Sequence, residues 1–177
     1  MLKPQDIVVL LKILAHTDNA NWPQHQLATH LCLSVSAVNA SLIRLSKSGL
    51  LNLGFNGKRY QPVVAGCLEV LLYGVKYFFP VQMGDYIAGI ATSYAAPIFK
   101  GQITLGQDPI PVWPSANGTE RGLALEPLYH CVPNSLVRYP DQAFYDLLSL
   151  VDALRQGRAR ERNIAATLLK ERILHAQ

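Results

Sequence analysis

Apolar residues return at helical spacing in six stretches of the chain. After Pro4, a residue suited to a first helical position, Ile7, Leu10, Leu11 and Leu14 mark the first stripe. Val8, Val9 and Ile13 widen it until the helix is apolar nearly all round, so it needs a second burial partner, either the C-terminal region or another subunit. Polar residues from Thr17 to Asn21 mark a loop, and Trp22-Pro23 opens a second helix. With Pro23 as cap, Trp22 and Leu27 stand at the spacing of a hydrophobic staple, and Leu27, Ala28 and Leu31 form the buried stripe. Ser34 caps a third helix with apolar positions Val35, Val38, Leu42 and Leu45, and Gly49 ends it. A fourth, mostly buried helix is expected from Pro62 to about Phe79. Pro140 starts a fifth, with Phe144, Leu147, Leu148, Val151 and Leu154, interrupted at Gly157. The last, with Ile164, Ala165, Leu168 and Leu169, ends near Leu174.

Between the third and fourth helices lies "LLNLGFNGKRYQPV". Asn56-Gly57 between short apolar runs is a strong hairpin signal, because both residues tolerate positive φ, and Lys58 and Arg59 sit at its tip. Residues 80–139 have a different texture, rich in Gly, Pro and aromatics with short apolar runs. A second Asn-Gly, at 117–118, lies between "PIPVW" and "TERGLAL" and suggests another hairpin. A segment this long exceeds an ordinary loop and is expected to form an ordered platform on neighbouring helices. The fold class expected is mainly α with small β elements: an N-terminal winged helix-turn-helix over 1–62, then a mixed α/β extension and C-terminal helices over 63–177.

Composition sharpens this picture at one point. Of the 177 residues 50% are hydrophobic and 16% charged, which allows a sizeable core, and the net charge is +4. The first 62 residues hold six Lys/Arg against two Asp, while 63–140 hold four against five acids and 141–177 six against five. The excess therefore sits on the N-terminal module, as in a nucleic-acid binder. Cys32, Cys67 and Cys131 are odd in number and lack C-x-x-C spacing, so reduced cytosolic thiols are expected rather than a disulfide framework. The N-terminus starts an amphipathic helix with no signal-peptide pattern, and the most apolar run, "PVVAGCLEVLLYGVKYFFPV", is interrupted by Glu69 and Lys76. No membrane span is expected, the expected location is the cytoplasm, and the sequons at Asn39 and Asn117 are chance matches.

On these residues the opening segment resembles bacterial winged helix-turn-helix regulators of the MarR-like type. Leu27, Ala28 and Leu31 match the first helix, Leu33-Ser34 the turn, and Val38 and Leu42 the second helix. Leu45, Gly49 and Leu50 continue the match toward the wing, so the resemblance covers roughly residues 4–62. Cys32 departs from the pattern, since such turns commonly carry Gly. The remainder, through "VWPSANGTERGLALEPLYHCVP" and "LLSLVDALRQGRARER", is similar to a group of uncharacterised bacterial proteins with an N-terminal winged helix. Those in turn resemble the regulators or antitoxins encoded beside nucleotidyltransferase-like toxins.

The physical reading of the third helix agrees with a DNA-binding role. At about 100° per residue, Ser36, Ala37, Ala40, Arg44 and Lys47 cluster opposite the apolar stripe, with Asn39 on the flank. Ser34 and Ser36 suit phosphates or bases, Asn39 suits adenine, and Ala37 and Ala40 suit thymine methyls. Arg44, Lys47, Lys58 and Arg59 suit phosphates, which position a protein without reading sequence, and Asn56 shapes the hairpin tip beside them.

Other chemistry finds less support. His16, His25, His30, His130 and His175 show no metal-ligand spacing, and His130-Cys131 is no dyad merely by adjacency. Phosphate-cradling glycine loops and nucleophile elbows are missing, and "GDYIAGIATSYAAP" lacks the Lys of a phosphate cradle. No catalytic residue, cofactor or metal is expected. Tyr73, Tyr77, Phe78, Phe79, Tyr86 and Tyr94 enrich the middle segment, read chiefly as core, and "RQGRARER" at 155–162 is read either as a second grip on DNA or, with Glu161 and Asp152 beside it, as a solvated helix face. The expected protein is a sequence-specific regulator, a repressor acting as a homodimer on double-stranded DNA, with a protein partner or small ligand at residues 80–139. The expected dimer contact includes helix 1, the C-terminal helices, or both, on the apolar width of residues 7–14 and the apolar face of 144–154. The alternative is an antitoxin-like, protein-binding winged helix without independent DNA specificity.

Overall fold

The computed structural model describes residues 1–17, 22–54 and 60–175. Its first helix, α1 (Pro4–Leu14), has Pro4 in the first turn, and Asp6 reaches back to accept from the Lys3 backbone N–H at 2.8 Å. Gln5 through Leu14 are all buried. The second burial partner is the C-terminal region: α1 packs between α3 (Val35–Lys47) and α7 (Gln142–Gln156). Helix α7 starts two residues after Pro140, capped by Asp141, whose carboxylate accepts from the Phe144 N–H at 3.0 Å. Its residues 144 and 146–154 are buried by α1, by the helical segment 64–78, and by α8 (Ala159–His175) through Ala165, Leu169 and Ile173. Helix α1 and the 144–154 face are thus covered within the chain.

Helix α2 (Gln24–His30) and α3 are bent by 107° at the break between them. The corner closes through Cys32 N–H to Thr29 O and Leu33 N–H to Ala28 O, with Cys32 at φ 53. This is the left-handed conformation that Gly adopts freely, so Cys32 makes the turn at a cost in backbone strain. Ser34 caps α3, accepting from Ala37 N–H at 3.1 Å, and Gly49 at φ 72 ends it. Val38, Leu42 and Leu45 are buried as expected, whereas Val35 is 47% exposed. Strands β1 (Leu51–Leu53) and β2 (Tyr60–Pro62) pair antiparallel, with Asn52 opposite Gln61. The Asn56-Gly57 turn with Lys58 and Arg59 lies outside the described residues.

The helical stretch after β2 comprises α4 (Val64–Glu69), a π-turn Val70–Gly74 and α5 (Val75–Phe78). It is half-buried rather than mostly buried. Cys67, Leu71, Leu72 and Val75 face the core, while Tyr73, Tyr77 and Phe78 stand in solvent. Its apolar residues surround the axis, yet only one side meets α7 and α8.

The platform is built on β3 (Met83–Ala91), β4 (Pro111–Pro114) and β5 (Glu120–Leu125). Strands β4 and β5 are parallel to each other and each is antiparallel to β3, so the hairpin expected at 117–118 does not form. The reason is the path of the link. Gly89 of β3 pairs with both Pro114 and Glu120, and a Cβ on Gly118 would stand 2.2 Å from the Gly89 carbonyl. The chain therefore crosses against β3 instead of folding back, and only Gly permits that approach. A helix not expected from the sequence, α6 (Cys131–Arg138), follows; Pro133 sits in its first turn.

Two buried carboxylates fasten these parts. Asp152, 1% exposed, accepts from Thr92 Oγ1 at 2.9 Å, Trp113 Nε1 at 2.7 Å and Arg155 Nη1 at 2.8 Å, tying the platform to α7. Arg155 is thereby a buried anchor, while Arg158, Arg160 and Arg162 are exposed. Asp141 accepts from the buried Lys12 ammonium at 2.5 Å and also bonds the His16 ring, tying α1 to α7. Burial pushes the Asp141 carboxyl up, but hydrogen bonds from His16, Lys12 and Phe144 outweigh it and hold the group well below its ordinary range. Because the folded value lies below the unfolded one, the resulting stability is present above the unfolded value of about 4 and fades as pH falls toward the depressed folded value. Urea unfolding of wild type and Asp141→Asn from pH 7 to pH 2 should therefore show the stability gap between them narrowing in acid. A gap independent of pH would contradict the assignment.

Candidate nucleic-acid interface

The candidate surface is the outward side of α3. Helix α1 holds the inward side through two polar contacts. Gln5 Nε2 donates to Ala37 O at 3.0 Å and to Ser41 Oγ at 2.9 Å. Arg44 donates Nε to Asp6 Oδ2 at 2.8 Å and Nη2 to Asp6 Oδ1 at 2.7 Å, a bidentate pair with a carboxylate that is fully buried. Donating to the Asp6 carboxylate raises the Arg44 guanidinium above its ordinary value. Arg44 is thus not the free phosphate cation expected. It lies at the border of the outward face, and its partner is 38 residues away, beyond any local pattern.

With α3 held this way, the most exposed row is Val35, Asn39, Ile43 and Lys47, each four residues from the last. Asn39, expected on the flank, stands within this ridge, and Ser36 lies exposed beside it. Ala37 and Ala40 are half-buried on the next row. The Ser34 hydroxyl caps the helix and lies 3.1 Å from Ser36 Oγ, so its free acceptor capacity is reduced. Asn39 Oδ1 accepts from Gln24 Nε2 at 3.4 Å, a long contact that brings the first residue of α2 beside the ridge. Lys47 makes no ion pair among the described residues. Asn56, Lys58 and Arg59 lie outside those residues, so only the antiparallel strands that flank them are placed. Val35 and Ile43 were missed because an apolar residue in a helical pattern is assigned to the core by default. Only Ile43 carried a sign in the sequence, since it falls more than a quarter-turn from the Val38–Leu42–Leu45 stripe, whereas Val35 lies on the stripe's own side and its position in the first turn exposes it.

A second concave feature lies in the region where a partner or ligand is expected. A cleft of about 1140 Å³ runs between the platform and the α6–α7 junction, with Phe99 and Tyr145 among its walls and Leu105 and Val137 as exposed lips. Asp141 reaches this cleft from the far side of its bonds to Lys12 and His16. Tyr145 donates to Ala91 O, and burial with Asp146 and Glu120 nearby pushes its phenol up to about 12. Burial likewise pushes the Cys67 thiol to about 11 and the Cys131 thiol to about 12, which makes both poor nucleophiles at neutral pH. Among the described residues, no three His, Cys, Asp or Glu side chains converge as metal ligands, and no single helix is long and apolar enough to cross a membrane.

No family model, no curated protein and no solved structure matches this chain.

The Arg44–Asp6 pair has a consequence for stability rather than for binding. Arg44→Ala leaves a buried carboxylate without its counter-ion and should cost about 2–4 kcal/mol, toward the lower side because Arg44 is 23% exposed. Asp6→Asn combined with Arg44→Ala should recover a good part of this, since no unpaired charge remains. Urea denaturation of the three variants measures the difference; an Arg44→Ala protein as stable as wild type would contradict the pairing.

Proposed function

We propose that the chain is a sequence-specific regulator of transcription that binds double-stranded DNA through an N-terminal winged helix-turn-helix and acts as a repressor in the cytoplasm. The observation that carries this reading is the outward ridge of α3, which leaves an amide, a hydroxyl and a lysine in solvent on a helix anchored rigidly from behind. A helix fits the major groove, where such side chains reach base edges and phosphates. The 107° corner with α2 falls in the range of DNA-reading helix pairs, and the β1–β2 pair stands where a wing would carry Lys58 and Arg59. Operator symmetry calls for two copies, and their contact lies outside α1 and the 144–154 face. The cleft beside Asp141 is where a small ligand or protein partner would act on the regulator.

A second reading, an antitoxin-like module that binds another protein, draws support from the exposed aromatic row Tyr73, Tyr77 and Phe78. The two readings part at Asn39 and Lys47. Asn39→Ala should cost about 1–3 kcal/mol on the specific site and lower the ratio of specific to random binding. Lys47→Ala should weaken both DNAs alike and reduce the salt slope of log K by about one. Binding isotherms at several salt concentrations on both duplexes separate these effects. If Asn39→Ala keeps its specificity ratio and Lys47→Ala keeps the wild-type slope, the protein-binding reading takes precedence.

A further inference from the structure

The side chains on α3 differ from one another in which base they are able to recognise. Guanine is read in the major groove by a guanidinium or ammonium on its O6 and N7, cytosine by a carboxylate on its amino group, adenine by an amide, and thymine by apolar contact with its methyl. The guanidinium of α3 is Arg44, whose Nε–Nη2 edge is held by Asp6 and which is thereby drawn toward α1. Its ammonium, Lys47, is in the last turn, away from the N-terminal part of the helix that meets base edges. The helix contains no Asp or Glu. What remains in solvent is Asn39 with an apolar neighbour one turn to each side, Val35 at 47% and Ile43 at 42% exposure. Two β-branched side chains left in water on a ridge otherwise polar are the complement of a groove that offers methyl groups.

We infer that the half-site read by α3 is composed of A·T pairs and is recognised through an adenine at Asn39 and thymine methyls at Val35 and Ile43. This rests on the reading of α3 as the groove-reading helix and adds the base chemistry to it. The specificity comes about by subtraction as much as by contact. Because Asp6 withdraws the guanine-reading group, a G·C pair opposite the ridge leaves its polar edge facing Val35 or Ile43 without a partner.

The test starts from selection of duplexes out of a random 30-base-pair pool by the full-length protein. Enriched sequences should share a short A·T core. Replacing its thymines by uracil, which removes only the methyl, should weaken binding ~four-fold for each contacted position. Ile43→Ala and Val35→Ala should each erase the thymine–uracil difference at one position, and Ile43→Val should retain most of it; both residues changed are on the surface, so the fold is not at stake. Enrichment of G·C cores, or uracil duplexes bound as tightly as thymine duplexes, would overturn the inference while leaving sequence-specific DNA binding intact. A pool that shows no enrichment at all would overturn both.

Discussion

Lys12 is 1% exposed in the last turn of a helix buried on every side, and the fold depends on giving its ammonium a partner. An unpaired charge there would be prohibitively costly. Asp141 supplies the counter-charge from the first residue of the α7 cap, and the rings of Phe144 at 4.8 Å and Trp22 at 5.5 Å lie against the ammonium. One carboxylate thus starts α7, neutralises α1 and holds His16. The stack Trp22–His30–Tyr139 continues the contact from α2 to the end of α6, with burial and Lys12 pushing His30 below its ordinary range. Since α3 is fastened to α1 by Asp6 and Gln5, the orientation of its outward ridge follows from the Lys12–Asp141 pair two steps back.

That mounting has a chemical cost and a chemical benefit for the surface. Drawing Arg44 into the Asp6 pair removes one charge from a face already sparing in cations, so on the proposed reading affinity for DNA backbone would rest on Lys47 and the residues between β1 and β2. In exchange the ridge is held from behind and chemically narrow. If it binds DNA as proposed, a helix whose free groups are an amide, a hydroxyl, a lysine and two branched aliphatics would discriminate by what it fails to satisfy. The cleft at the α6–α7 junction shares Asp141 with the anchor of α1, so an occupant that moved this carboxylate would be felt along the same two steps.

Local signals carried much of the helical architecture. Pro4, Ser34 and Gly49 act at the helix ends where their side chains or backbone freedom suggest, and the stripes on α7 and α8 lead to the core. What escaped was whatever depended on distant partners. Asp6 and Arg44 carry no local sign of their pairing, and without it the outward face of α3 is misjudged by a row, with Asn39 placed on the flank and Ile43 overlooked. The Asn-Gly at 117–118 signals reversal, yet β3 intervenes and makes it a crossing. Tyr73, Tyr77 and Phe78 look like core because composition does not say which side of a helix has a neighbour. Helix α6 was hidden by a proline that its first turn tolerates.

On the proposed reading the ridge Val35–Asn39–Ile43–Lys47 enters a DNA groove. This is tested most directly by nuclear magnetic resonance of the isotopically labelled 19.5 kDa chain during titration with a duplex from its enriched pool. The account predicts that the Asn39 side-chain amide and the methyls of Val35 and Ile43 shift first and furthest, while the methyls of Leu71 and Leu148 in the core stay in place. Shifts centred instead on Tyr73, Tyr77 and Phe78, with the α3 ridge unchanged, would contradict it.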